Sequence, residues 1–238
     1  MNKSLPKVIF LDAAGTLFGV RGSVGEIYAA IARNYGVEIA AGEIDRAFRQ
    51  SFAIAEPLAF DHSDRANTER EIIVQKEFDW WKQIVLTTFK EAKALDNFTD
   101  FEQFFQELYV YFATEKPWFI YPEVIDFLAN WQQKQIPLGI ISNFDTRIYN
   151  LLKLLNLESY FSSITISSEA GAAKPDHKIF MKALAKHSCE PEQAWYIGDS
   201  FIEDYQGAKQ IGMEAFWLRR KGTLNLSKNQ LPTLNSLG

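Results

Sequence analysis

The chain has 238 residues, of which 47% are hydrophobic and 14% aromatic, enough to bury one large core or a core with a smaller lobe. A net charge of -5 and the lack of any Lys/Arg-rich block remove the electrostatic footprint of nucleic-acid or anionic-membrane binding. Cys189 is the single cysteine, which excludes an intrachain disulfide and fits a reducing compartment.

After "MNKSLPK", the apolar run before Asp12 is too short for a signal-peptide core or a membrane span, so a soluble cytoplasmic protein is expected. "KVIFL" (7–11) is continuously apolar and β-branched, which predicts a central parallel strand. Residues 19 to about 116 show no strand pattern. They predict helices over "SVGEIYAAIARNYG" from a Ser23 cap, over "AGEIDRAFRQSFAIA", from Asn67 to about Ala94, and over "DFEQFFQELYVYFA". Trp80, Trp81, Phe104 and Phe105 read as packing inside this lobe. Pro117 and Pro122 mark the return to the sheet, since proline disfavours helix at and just before its own position.

Strand-like runs follow at "IPLGIIS", "SITIS", "AWYIGD" and "EAFWL", alternating with the helical patterns "DTRIYNLLKLLNL", "DHKIFMKALAKH" and "EDYQGAKQIG", the last closed by Gly212 as a C-cap. This alternation predicts an α/β fold with a doubly wound parallel sheet and one helical insertion. The expected boundaries are a core of 1–18 and 117–238 and a helical cap of 19–116. From Lys221 the tail is polar and expected on the surface, with Leu231 and Leu234 as docking positions.

Four signals fall at the predicted C-terminal ends of strands, where open α/β sheets place ligands. Asp12 enters the turn "AAGT", Ser142 ends a strand in "ISNFD", Lys174 sits in "GAAKPD", and Asp199 with Asp204 follows a strand in "YIGDSFIED". With "RQ" and "WW" in the inserted lobe, "SSEAG" before "KPD", and "DYQGA", the chain resembles the haloacid dehalogenase-like hydrolase superfamily, above all its domain-containing protein three branch. The resemblance implies a Rossmann-like core, an inserted all-helical cap, and Mg2+-dependent hydrolysis through an aspartyl-enzyme ester. Asp12 would then be the nucleophile, and Thr16 and Ser142 would hydrogen-bond the transferring group. Lys174 would offset the charge gathered there, with Asn143 joining the substrate contacts. Asp12, the main-chain carbonyl of Ala14, Asp199 and Asp204 would hold Mg2+, which favours hard oxygen ligands. The implied partner is a small anionic substrate such as a phosphate ester.

Ala14 departs from the superfamily's phosphatases, in which a second Asp at this position protonates the leaving group and then activates water. Such help is typically worth about 10²- to 10⁴-fold, so phosphomonoester turnover is expected to be slow. L-2-haloacid dehalogenases also lack that Asp and use no metal, but they lack the "GDSFIED" acidic motif too. Phosphonoacetaldehyde hydrolases carry Ala there but require a cap lysine, and no lysine lies between Lys7 and Lys76. A non-catalytic binding protein on this fold stays open as an alternative, and below it a metal-independent 2-haloacid dehalogenase. Arg46 and Arg49 are candidate substrate contacts because arginine forks to carboxylate or phosphate. His177 reads as a capping or surface residue, while His62 and His187 show no metal spacing.

Overall fold

The computed structural model describes residues 5–60, 69–220, 233–234 and 236–237. His62, the expected helix start at Asn67, the tail from Lys221 to 232, and Leu231 within it lie outside the described residues. The chain runs through β1 (Val8–Leu11), β2 (Phe18–Val20), α1 (Val24–Ala32), α2 (Ala41–Ile54), α3 (Arg70–Glu91) and α4 (Phe101–Tyr111). It continues through β3 (Trp118–Ile120), α5 (Val124–Gln133), β4 (Leu138–Ser142), α6 (Arg147–Leu154), β5 (Ser163–Ile166), α7 (Ser167–Ala170) and α8 (His177–Ala185). Last come β6 (Ala194–Gly198), a π-helical turn (Phe201–Gln206), α9 (Gly207–Gln210), β7 (Glu214–Leu218) and β8 (Thr233–Leu234).

The main sheet has the order β5-β4-β1-β6-β7-β8, with every neighbouring pair parallel. It forms the doubly wound core of an α/β fold. From β1 the chain winds outward to β5 on one side, then returns and winds from β6 to β8 on the other. A crevice therefore opens at the C-terminal ends of β1 and β6. All four residues of β1 are buried. Val8 and Phe10 join Ile141, Phe180 and Tyr196 in one apolar cluster, while Ile9 and Leu11 join Leu128, Ile140 and Leu151 in another. That split is the two-residue alternation of a strand covered on both faces.

Helices α1 to α4 build the all-helical cap around a third cluster that includes Tyr28, Ile44, Phe89, Phe104 and Leu108. Ser23 accepts from the Glu26 amide and Glu26 reaches back to the Ser23 amide, a reciprocal cap that fixes the start of α1. Asp100 caps α4 in the same sense. Gly25 lets α1 and α2 approach closely, because a Cβ there would fall 2.1 Å from the Ala41 carbonyl oxygen.

Some of this departs from the sequence reading. A strand lies where none was expected: β2 pairs antiparallel with β3 through Phe18↔Ile120, Gly19↔Phe119 and Val20↔Trp118, tying together the two chain crossings between sheet and lobe. Three-residue strands are too short to show an alternation. Helix α5 was not anticipated either, though Val124 and Leu128 bury one face at four-residue spacing. The described part of the tail pairs as β8 beside β7; Leu234 packs against the core and Leu237 is buried.

Candidate active site

Asp12 leaves β1 at the crevice and is 6% exposed. Ser142, the last residue of β4, donates its hydroxyl to Asp12 Oδ1 at 2.9 Å, and Lys174 Nζ donates to the same oxygen at 2.7 Å. With Oδ1 held twice, the carboxyl has one orientation. Lys174 spends its other two protons on Asp204 Oδ1 (2.5 Å) and the Tyr196 hydroxyl (2.9 Å). Burial works against its charge, but Asp12 and Asp204 more than compensate, so the ammonium titrates above its ordinary range.

Asp204 sits in the π-helical turn, an irregularity frequent at functional sites. Its Oδ2 accepts from the Ser200 amide at 2.8 Å, and its Oδ1 lies 2.8 Å from the Tyr196 hydroxyl. Gly198 before it has a steric reason, since a Cβ there would lie 2.4 Å from Asp204 Oδ2. Asp199 is fixed through its carbonyl by the Trp217 indole at 2.9 Å. Burial, then repulsion from Asp12 and Asp204, pushes the Asp199 carboxyl up to about 7. Oxygens of Asp12, Asp199 and Asp204 all lie within 4.8 Å of one another, so the three carboxylates could hold a metal ion. Gly15, at φ 91°, keeps the turn open for them: a Cβ there would fall 2.4 Å from Asp199 Oδ2.

Asp12, Ser142, Asn143, Lys174, Asp199 and Asp204 thus converge on one cavity of about 580 Å³ between sheet and cap. Ala14 is exposed on its wall. Asn143 is also a positioning group: its amide brackets the Lys174 backbone, donating to the carbonyl at 3.0 Å and accepting from the N–H at 2.7 Å.

Two expectations need correction. Thr16 is fully buried and does not line the cavity; its hydroxyl faces Asp199 Oδ1 at 3.5 Å, because the Gly15 turn sends it into the interior. Arg46 and Arg49 are exposed on α2 and do not line the cavity either. The helix buries Ile44, Ala47 and Ser51, and at 100° per residue positions 46 and 49 fall on the opposite face. His177 is exposed beside Asp176, and His187 meets Ser163 and the Phe10 ring rather than the cavity.

Other participants went unnoticed in the sequence. Arg220 holds the turn after Asp12 by donating to the Gly15 carbonyl (3.0 Å) and the Thr16 carbonyl (2.5 Å), with Glu123 as its counter-ion at 2.6 Å. Asp145 is fully buried and receives Arg147 Nη2 and Trp81 Nε1, each at 2.6 Å, on Oδ2. Glu77, also fully buried, reaches from α3 to accept the Thr146 amide (2.9 Å) and hydroxyl (2.5 Å). The "DTR" run (145–147) is therefore where the cap fastens to the core. Trp80 and Trp81, read from sequence as internal packing, line the cavity together with Phe105, while Phe104 stays in the cap core.

A sequence profile described as haloacid dehalogenase-like hydrolase matches residues 6–212. The mouse protein named haloacid dehalogenase-like hydrolase domain-containing protein 3 is 32% identical over 217 residues, covering 88% of this chain and 80% of its own. Among solved structures, a HAD phosphatase from Thermococcus onnurineus is similar with a TM-score of 0.61 at 21% identity, over 97% of this chain and 94% of its own. A 2-haloacid dehalogenase from Pseudomonas syringae is similar with a TM-score of 0.61 at 20% identity, over 98% and 95%. Among the described residues, no helix is long and apolar enough to cross a membrane. With its parallel sheet, inserted cap and acidic cluster at the ends of β1 and β6, the chain belongs to the haloacid dehalogenase-like hydrolase family.

Proposed function

We propose that the protein is a phosphatase-like hydrolase that transfers the phosphoryl group of a small phosphate ester to Asp12 and needs Mg2+ for it. The observation that carries this reading is the set of Asp12, Asp199 and Asp204 oxygens within 4.8 Å of one another on a cavity wall, with Lys174 bonded to two of them. One ammonium cannot balance three carboxylates, and burial, then repulsion from Asp12 and Asp204, pushes Asp199 up to about 7. A divalent cation fits this donor set, because Mg2+ takes hard oxygen ligands and is bound through one or two carboxylates plus substrate oxygens. Asp12, Asp199 and Asp204 would hold it, and when bound it supplies Lewis-acid neutralisation of phosphoryl charge.

Asp12 acts as the nucleophile, oriented by Ser142 and Lys174. Lys174 also offsets repulsion between the acidic cluster and an anionic substrate. Ser142 and Asn143 lie on the cavity wall, where they would contact the transferring group. Ala14 offers neither a proton for the leaving group nor a base for water, so substrates with poor leaving groups turn over slowly. The test is phosphate release from 4-nitrophenyl phosphate with and without Mg2+, in wild type and Asp12→Asn. A Mg2+-stimulated rate lost in the variant is the expected result; an equal rate in both would overturn the nucleophile assignment. No turnover of any phosphoester, phosphonate or haloacid would favour a binding role instead.

A further inference from the structure

The cap side of the cavity is walled by the rings of Phe48, Phe52, Trp80, Trp81 and Phe105, with Trp118 of β3 beside them. Their polar handles are already used within the protein. Trp80 Nε1 donates to the Glu56 carbonyl at 2.8 Å, and Trp81 Nε1 to Asp145. Phe52 stacks on Phe48 at 5.6 Å and meets Trp80 edge-on at 5.9 Å, so the rim holds its shape before any ligand arrives. Beside Tyr28 and Tyr109, which also line the cavity, these rings offer π-faces and C–H edges.

Charge narrows the choice further. Among the described residues lining the cavity, Lys174 and Arg147 are the only cations, and both are engaged. Lys174 is saturated by Asp12, Asp204 and Tyr196. Arg147 is bound to Asp145, and its Cζ lies over the Tyr109 ring, 4.0 Å from the centroid. Glu56 and Glu203 also line it, so among the described residues a second anionic group on the substrate would meet carboxylates and no unengaged cation. At about 580 Å³ the cavity falls in the range of roughly 300–1,000 Å³ that takes drug-sized ligands, more than a two- or three-carbon phosphate fills.

Resting on the phosphatase reading above, we infer that the substrate class is an aryl phosphate monoester whose ring carries no charge. Chemistry at Ala14 agrees with the shape of the wall. As an Asp12 oxygen bonds to phosphorus, the bond from phosphorus to the ring oxygen breaks, and the electron pair leaves on an aryloxide that the ring delocalises. No proton has to be delivered at that moment. Water then adds to the phosphorus of the aspartyl phosphate, releasing inorganic phosphate and restoring the carboxylate; the proton that water loses balances the aryloxide.

The test compares 2-naphthyl phosphate, its 6-carboxylate derivative and acetyl phosphate as substrates in Mg2+, beside calorimetric binding of naphthylmethylphosphonate and methylphosphonate. The neutral naphthyl ester is expected to exceed the carboxylated one at least about tenfold in kcat/KM. Phe52→Ala should lower the naphthyl-to-acetyl preference about three- to tenfold, the range of a lost aromatic pair. Asp12-dependent turnover of acetyl phosphate with no advantage for the neutral ring would overturn this inference and leave the phosphatase reading intact. No Asp12-dependent turnover of any ester, with the naphthyl phosphonate still binding at least about tenfold more tightly than the methyl one, would do the reverse. Equal binding of the two phosphonates would sink the ring site.

Discussion

The Glu77 carboxylate fastens the cap to the core, and its removal has a calculable cost. It is fully buried on α3 and accepts from both the amide and the hydroxyl of Thr146, which stands at the N-cap position of α6 and is itself buried. Glu77→Ala removes both acceptors, and each buried donor left unsatisfied costs about 1–3 kcal/mol. The hydroxyl can turn to find another partner, whereas the amide cannot, so the expected total is about 2–5 kcal/mol. Burial raises the Glu77 carboxyl despite these bonds, and relief of that desolvation holds the loss below the upper figure. Glu77→Gln keeps one oxygen for the amide and can present its NH2 to the hydroxyl oxygen, so it should lose only about 1 kcal/mol. At about 2–4 °C per kcal/mol for a chain of this size, Tm falls by about 4–20 °C for Ala and by no more than about 4 °C for Gln. Calorimetry at pH 7 measures both. If Ala lies within about 2 °C of wild type, or Gln is as damaging as Ala, the fastening does not depend on hydrogen-bond acceptors at this position.

Further outcomes follow from the site. Ala14→Asp restores an acid on the cavity wall and should raise kcat on an alkyl phosphate by about 10²- to 10⁴-fold while changing an aryl phosphate far less; equal gains on both would show that leaving-group protonation is not what Ala14 forfeits. In metal-free protein the raised Asp199 carboxyl stabilises the fold fully below the unfolded value of 3.8, and this contribution is lost as pH rises through about 7. Tm in chelator should therefore fall between pH 5 and 8, Mg2+ should restore most at the alkaline end, and Asp199→Asn should flatten the profile. Tyr196→Phe deletes a hydroxyl that accepts from Lys174 and neighbours Asp204, costing about 1–3 kcal/mol by urea denaturation; no loss would mean the hydroxyl is dispensable to the buried cluster.

How much of this was legible in the sequence depends on the range over which each feature is determined. Strands β1, β4, β5, β6 and β7 are apolar-rich runs because both sheet faces are covered, and that property is local. Asp12, Ser142, Lys174, Asp199 and Asp204 were readable because each ends a strand or follows one in a short motif, and the winding of the sheet gathers those ends. Tyr196 was hidden, as an aromatic within a strand run, although a buried phenol needs a polar partner. Arg220 is 205 residues from the turn it holds, in a stretch with no pattern of its own. Contacts from Glu77 to Thr146 and from Trp81 to Asp145 depend on how α3 lies on the core, which no local periodicity encodes. Arg46 and Arg49 show the converse failure: residue chemistry suggested a substrate contact, but helix phase turned both outward.

The energetics of the cluster bear on whether Ala14 marks a disused site. Asp12, Asp204 and Lys174 are each no more than 6% exposed, and taking such charges out of water costs several kcal/mol per ion before their attraction offsets it. Replacing a buried ionic group with apolar side chains of similar volume is often neutral or stabilising by about 1–4 kcal/mol, so the fold alone has no need of this arrangement. The supporting parts carry their own constraints. Gly198 leaves space for Asp204, Gly15 for Asp199, and Asn143 spends both polar atoms of its amide on the backbone of Lys174. These features hold charges in a fixed geometry at the mouth of a cavity, which is what preorganised electrostatic catalysis requires and what a scaffold does not. On the phosphatase reading, Ala14 forfeits both proton transfers, to the leaving group and from water, and leaves the charge arrangement standing. Losing the first would narrow the leaving groups such a phosphatase can expel, and an aromatic wall on the same cavity as Asp12 is the structural counterpart of that narrowing.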